Sequence, residues 1–183
     1  PIKDVKTMIY AFFELHERLP QVRLHIMGGV DDEEYGAECH ALVETLGVRD
    51  LIFTGRVNVI EYMEKLDFTI LTSISEGQPL SVLESLGARR PCVTTEVGCC
   101  RELLEGAPGD DFGVAGFVTP PMYRKGLADA MERMCASRAR RIEMGERGQR
   151  RVATYFLHEQ MLANYRALYD ETARAFDLPQ KEV

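Results

Sequence analysis

"DFTILTSISEGQPLSVLESLGARRPCVTTEVG", residues 67–98, holds a strand, a turn, a helix and a second strand in one short run. "DFTILTS" (67–73) and "PCVTTEVG" (91–98) are short, built mainly of apolar residues and Thr, the second bounded by Pro91 and Gly98, as buried strands are. "PLSVLESLGARR" (79–90) between them reads as a helix. Two such strands joined through a helix pair in parallel, because the crossover helix must pack back over the sheet. The expected unit is βαβ.

The same alternation extends in both directions. Upstream, apolar residues recur at helical spacing from Val5 to Leu19 (Val5, Met8, Ile9, Phe12, Phe13, Leu15) and Pro20 stops them. "VRLHIMG" (22–28) follows as a strand. An acidic helix start at "DDEEY" then runs to Leu46 with Gly47 as its C-cap, and "DLIFTG" (50–55) is the next strand. "NVIEYMEKL" (58–66) is a short helix. Downstream come a short helix near Cys100 to Leu104, a Gly/Asp/Pro loop from Gly106 to Gly113, and the strand "VAGFVTP" (114–120). From Lys125 to Phe176 three helix patterns are broken near Ala136–Ser137 and Phe156–Leu157. The fold class expected is α/β, a doubly wound parallel Rossmann-like sheet with closing helices, one domain over 1–183. In such sheets ligands bind beyond the carboxyl ends of the strands, so the loops of interest follow Gly28, Thr54, Leu71, Thr95 and Val118.

Composition removes several function classes. The net charge of −7 sets up a repulsive average field for a polyanion, so nucleic acid is not expected as a partner. No apolar run approaches the ~20 residues of a membrane-spanning helix and no secretory leader pattern opens the sequence, which reads as a soluble cytoplasmic chain with no direct membrane insertion. The cysteines, Cys39, Cys92, Cys99, Cys100 and Cys135, are odd in number and read as reduced thiols; with scattered histidines (His16, His25, His40, His158) they give no metal-ligand spacing, so no metal is expected. The start Pro-Ile-Lys-Asp, directly before a helix pattern, reads as a piece of something longer.

Chemistry concentrates in the turn at 73–81. Pro79 suits the first position of a helix, where its missing N–H costs nothing. The amides of Leu80 and Ser81 then face outward at the positive end of the helix dipole, an arrangement that suits phosphate. Glu84, one turn deeper on the face of Leu80, would be repelled by an anion unless it accepts from neutral hydroxyls, as an acidic residue does with ribose. Glu76, before the turn, could meet a second polyhydroxyl group across the phosphates. Spacing alone leaves both glutamates open to the bland reading of solvated surface acids.

The residues then match a family. "ISEGQPLSVLESLGARRPCVTTEVG" resembles the E-G-x-P/G-L-x-x-L-E-A signature of the family 4 retaining glycosyltransferases, which have the GT-B fold. "PIKD" resembles the family's lysine-containing first loop, "LIFTGRV" its F-x-G-x-V loop, "VGCCRELLEG" its V-G-G-x-x-E-L-I segment and "GFVTP" its G-x-L-V-x-P strand; "MGERGQRRV" and "YRALY" match the closing helices. Within the family, "PIKDVKT", "ECHALVETLGV" and "TSISEGQPL" are most similar to the branch that works in bacterial Pel exopolysaccharide synthesis, soluble, cytoplasmic and associated with UDP-glucose.

The resemblance implies a C-terminal nucleotide-sugar-binding domain that needs no cofactor or metal, partnered by an N-terminal acceptor domain of the same protein, with a first strand and that domain outside the chain. Other partners implied are the nucleotide-sugar itself and a membrane-associated polysaccharide synthase complex. It implies that Glu76 contacts the transferred sugar, Glu84 the ribose, and the Leu80 and Ser81 amides the diphosphate next to Gly77, with Lys3 adding a charge and Val57, after Arg56, meeting the base. Lys3 and the amides would stabilise the leaving diphosphate past an oxocarbenium-like transition state. Pro79 stands where many members have Gly, and Cys99–Cys100 where they have Gly-Gly. Two other classes stay open on the residues: a non-catalytic nucleotide-binding or assembly module, and a UDP-sugar epimerase of related fold.

Overall fold

The computed structural model describes residues 1–176; the last residues of the expected 1–183 domain lie outside the described residues. The elements run α1 (Val5–Arg18), β1 (Leu24–Met27), α2 (Glu33–Leu46), β2 (Leu51–Gly55), α3 (Val59–Met63), β3 (Thr69–Leu71), α4 (Leu80–Gly87), β4 (Cys92–Thr95), α5 (Cys100–Glu105), β5 (Gly116–Thr119), α6 (Arg124–Cys135), α7 (Arg138–Tyr155) and α8 (His158–Ala175). Local chemistry sets the helix ends. Asp32 caps α2 by accepting from the Tyr35 amide, Glu33 and Glu34 complement the dipole in its first turn, and Gly47 closes it in the left-handed conformation at φ 63°. Ser137 caps α7 in the same way, which explains the break in helical periodicity before it.

Every strand pair is parallel, as the α/β alternation requires. The strands divide into two sheets, β1–β2 and β3–β4–β5, where the sequence suggests one doubly wound sheet. β1 and β3 each keep one unpaired edge among the described residues. One core nevertheless spans both sheets: Phe12 and Leu15 of α1 pack with Leu24 of β1, Ile70 of β3 and Val93 of β4, and with Leu127 and Met131 of α6. A second cluster under α4, α5 and β5 joins Val82, Leu86, Leu103, Leu104 and Ala115. Strand β4 is buried at all four positions because helices cover both of its faces, which is why its residues are apolar or small without alternation. The sheets' carboxyl ends therefore sit on a rigid base, and the loops that leave them are fixed at their roots.

Candidate functional site

The loop after β3 is sewn to the start of the chain. The Ile74 amide donates to the Ile2 carbonyl at 2.9 Å, and Thr72 Oγ1 donates to the Lys3 carbonyl at 2.8 Å. Asp4, in the left-handed region at φ 45°, turns the chain into α1 and accepts from the Thr7 amide. Thr72 and Ser73 are buried, and Thr95 Oγ1 donates to the Ser73 carbonyl at 2.6 Å. Hydroxyls hold the roots of two separate loops together here.

These ties bring Lys3 onto Glu76. Lys3 Nζ lies 2.5 Å from Glu76 Oε1, and Ser73 Oγ donates to the same oxygen at 2.7 Å. The Glu76 side chain is 15% exposed against 60% for Lys3, so the acid is the enclosed partner and the base its lid toward water. Burial pushes the Glu76 carboxyl up, but the hydrogen bonds from Lys3 and Ser73 and the charge of Lys3 outweigh it and hold it below the usual carboxylate range. Glu76 is thus an ionised acceptor with one oxygen engaged and a second, Oε2, able to receive hydroxyl donors.

Across the turn, α4 begins without a side-chain cap. Pro79 is the N-cap, extended at ψ 112°, and not the first helical residue as the sequence suggests: its carbonyl accepts from the Val82 and Leu83 amides, which leaves Leu80 to open the helix. The Leu80 and Ser81 amides precede the first intrahelical bond, both residues are exposed, and nothing in the helix can accept from them. Glu84 is exposed one turn further on. Neither it nor Arg56 is hydrogen-bonded to Glu76 or Lys3 among the described residues.

Gly77 is held from behind. Its carbonyl accepts from the Cys99 amide at 3.0 Å, and a Cβ on Gly98, which sits at φ +51°, would stand 2.0 Å from that oxygen and 2.5 Å from the Glu76 carbonyl. Only glycine permits this approach. On the other sheet, the Gly28 amide donates to the Gly55 carbonyl at 2.9 Å, bringing the loops after β1 and β2 together. Arg56 is exposed and its guanidinium lies over Gly29, where a Cβ would be 3.1 Å from Nε. Val57 is half-buried before Asn58, which caps α3.

The sequence-derived site therefore falls into two groups on the carboxyl edges: Lys3, Glu76, Gly77, Leu80, Ser81 and Glu84 on the larger sheet, Arg56 and Val57 on the smaller. The residue types on the larger sheet's edge are a carboxylate for hydroxyls, a lysine paired with it, and two free helix amides for an anion. The model for the family described as "Glycosyl transferases group 1" matches residues 1–137. The chain belongs to this family. It is 26% identical over 175 residues to the N-acetyl-alpha-D-glucosaminyl L-malate synthase of Bacillus anthracis, covering 94% of this chain and 43% of the relative. It is 36% identical over 88 residues to the Escherichia coli O-antigen biosynthesis glycosyltransferase WbnH, covering 48% of this chain and 24% of that one. The chain thus spans less than half the length of these relatives. Among solved structures, Anabaena HepE in complex with UDP and glucose superimposes with a TM-score of 0.79 at 23% identity, over 91% of this chain and 45% of that chain. The C-terminal domain of a Francisella tularensis group 1 glycosyl transferase, LpcC, does so at 0.73 and 20% identity, over 86% and 81%. These likenesses fix the fold as that of GT-B glycosyltransferases.

Sequence reasoning missed the second tier of the site. Ser73, Thr72, Thr95, Asp4 and Gly98 orient the residues that were named. Their signal is visible afterwards: "TS" and "TT" close two adjacent strands, and of these buried hydroxyls Thr72, Ser73 and Thr95 find partners in the loops while Thr94 Oγ1 has no partner among the described residues. His25 Nδ1 is 2.6 Å from the Tyr62 hydroxyl, and Arg101 makes surface ion pairs with Glu96 and Glu105. Among the described residues no group of three or more His, Cys, Asp or Glu side chains is arranged to hold a metal ion, and no helix is long and apolar enough to cross a membrane.

Proposed function

We propose that this chain is the donor half of a retaining glycosyltransferase that moves a hexose from UDP-glucose to an acceptor in bacterial exopolysaccharide synthesis, in the manner of the Pel branch. The observation that carries the reading is the enclosed Glu76 carboxylate, held ionised by Lys3 and Ser73 at a turn whose next two amides are free. Glu76 accepts from the hydroxyls of the transferred sugar. Leu80 and Ser81 donate to the diphosphate beside Gly77, and Glu84 accepts from the ribose. Arg56 and Val57, on the neighbouring rim, meet the base. As the glycosidic bond breaks, charge grows on the diphosphate, and Lys3, paired with Glu76 in the free chain, turns to the leaving group. No metal takes part in this scheme, since a lysine and a helix terminus supply the positive charge. HepE, solved with UDP and glucose on the same fold, supports the donor class.

The acceptor belongs to an N-terminal domain of the longer cytoplasmic protein, which also supplies a strand for the open edges of β1 and β3; that protein works beside a membrane-associated synthase complex. Helix α8 supports a further partner in the same polypeptide. Met161, Leu162, Tyr165, Leu168 and Tyr169 form one apolar stripe along it, between 39% and 69% exposed.

Calorimetry of UDP against the chain and its Glu84→Ala variant tests the site. Loss of a charged acceptor for two ribose hydroxyls weakens binding by roughly tenfold or more. Equal affinity in both removes the ribose assignment. Radiolabelled UDP-glucose with the full-length protein then separates transfer, which gives a glycosylated product, from epimerisation, which gives a new UDP-sugar.

A further inference from the structure

Arg151 lies inside α7 with its side chain 1% exposed, far along the chain from the donor loops. Its guanidinium uses all five N–H groups. Nε donates to Asp110 Oδ2 at 2.5 Å; Nη2 donates to Asp110 Oδ1 at 3.1 Å and to the Gly113 carbonyl at 2.8 Å; Nη1 donates to the carbonyls of Leu103 at 3.1 Å and Leu104 at 3.3 Å. Asp110, 4% exposed at its side chain, also accepts from the Phe112 amide. The fork therefore fixes three things to α7 at once: the last turn of α5, the loop 106–113, and the approach to β5.

A buried ion pair is a costly way to obtain stability, since apolar side chains of the same volume do as well or better. What a saturated fork adds is geometry, because a planar group with five directed bonds permits one position and one rotation of its acceptors. Those acceptors end a rod about 9 Å long, the six residues of α5. The other end of the rod is Cys99, whose carbonyl accepts from the Leu103 amide at 3.0 Å and whose amide donates to the Gly77 carbonyl at 3.0 Å. Gly98, in contact with the Glu76 and Gly77 carbonyls, leaves no slack at that end.

We infer that Arg151 is a positioning residue for Glu76: through Asp110 and the α5 carbonyls it sets the height and rotation of α5, and α5 holds the Glu76–Gly77 turn through Cys99. The consequence for ligand binding rests on the reading of Glu76 as the sugar contact. The mechanical part does not. A change at Arg151 moves the sugar contact more than the α4 amides, because α4 has a second anchor that does not pass through α5: the Ser85 hydroxyl is hydrogen-bonded to the Thr69 hydroxyl of β3 at 2.7 Å.

The test uses the full chain and the variants Asp110→Asn, Arg151→Lys, Arg151→Met and Glu76→Gln. Amide hydrogen exchange is followed at Cys99 and across β4, with calorimetric affinities for UDP and UDP-glucose. In Asp110→Asn, which keeps the side-chain size and folds most readily, Cys99 exchange rises about tenfold while β4 stays protected. UDP-glucose affinity falls toward that of Glu76→Gln while UDP affinity holds within about twofold. Arg151→Met does the same more strongly, and Arg151→Lys, with three donors, recovers part of the loss. Exchange that rises at Cys99 and β4 together, or equal losses for UDP and UDP-glucose, overturns the inference and leaves Arg151 a packing residue. If Glu76→Gln does not lower UDP-glucose affinity relative to UDP, the sugar role of Glu76 fails, and the Cys99 exchange alone decides the strut.

Discussion

Glu76 gains its properties from one residue 73 positions away in sequence and another 3 positions away on its own loop. Lys3 and Ser73 both bond Oε1, which makes the charged form the cheaper one even in a site closed to most water. The folded carboxyl lies below its unfolded value, so the contribution of these bonds is complete above the unfolded glutamate pKa of about 4.3 and is lost as pH falls through the folded value. Carbon-detected NMR titration of Glu76 is expected to give a midpoint under about 4.3, raised in Ser73→Ala and raised further in Lys3→Met. A wild-type midpoint at the ordinary value would detach Lys3 from Glu76. Both residues were legible in the sequence, Glu76 from its place before a helix start and Lys3 only through the family resemblance. Their pairing was not legible, because it depends on two backbone-level ties, Ile74 to Ile2 and Thr72 to Lys3, that no spacing rule encodes. Gly98 is the second lesson at this scale. It looks like an ordinary turn glycine after a strand, yet its missing Cβ is what lets two loops touch. Gly98→Ala is expected to cost about 1–3 kcal/mol of unfolding free energy and to weaken UDP-glucose more than UDP. Urea titration with parallel calorimetry reads both, and a variant as stable as wild type would show that the turn yields without cost.

Among elements, the helices that bear chemistry are short and the helices that hold them are long. α4 and α5 carry the free amides and the Cys99 contact, and each is pressed against α7. The close approach of α7 to α4 is set by Gly145, where a Cβ would lie 2.1 Å from the Arg89 carbonyl at the end of α4. Backbone on the far side cannot give way as a flexible side chain can. Gly145→Ala is therefore expected to lower the unfolding free energy by about 1–3 kcal/mol, read as a lower urea midpoint at constant slope, although alanine is the better helix former. An increase in stability, which propensity alone would give, would contradict the packing. The element order, the α2 C-cap at Gly47 and the breaks at Ala136–Ser137 and Phe156–Leu157 were legible because each rests on local backbone chemistry. The role of Pro79 shifted by one position because its extended ψ, which sequence does not specify, decides whether it caps the helix or enters it. The convergence of Arg151 on three segments was not legible either. "MGERGQRRV" is placed in a closing helix by the resemblance, and only the packing turns one of its arginines, Arg151, inward.

At the scale of the molecule, the α/β class followed from alternation, whereas the division into two sheets did not, since strand count and order do not say which edges pair. What holds the two sheets as one body is α1, with Phe12 and Leu15 in the core shared by both. α8 stands outside this body. None of its residues is buried, its apolar stripe faces outward, and Tyr165 and Tyr169 stack on each other with ring centroids 6.5 Å apart instead of on the sheet helices. Hydrophobic burial scales with area removed from water, and here the stripe removes little. A chain ending at Leu157 is therefore expected to melt within about 2 °C of the full chain, because the cooperative core ends with α7. Helicity should fall by the share that α8 contributes, which circular dichroism reads on the same samples. A drop of many degrees would mean that α8 is docked on this body in solution. If the midpoint holds, the stripe is left for the further surface proposed above, and adding α8 back as a separate peptide should leave the truncated chain's midpoint unchanged while raising that of the proposed longer protein lacking the helix. That pair of results would place the α8 contact between domains and not within this one.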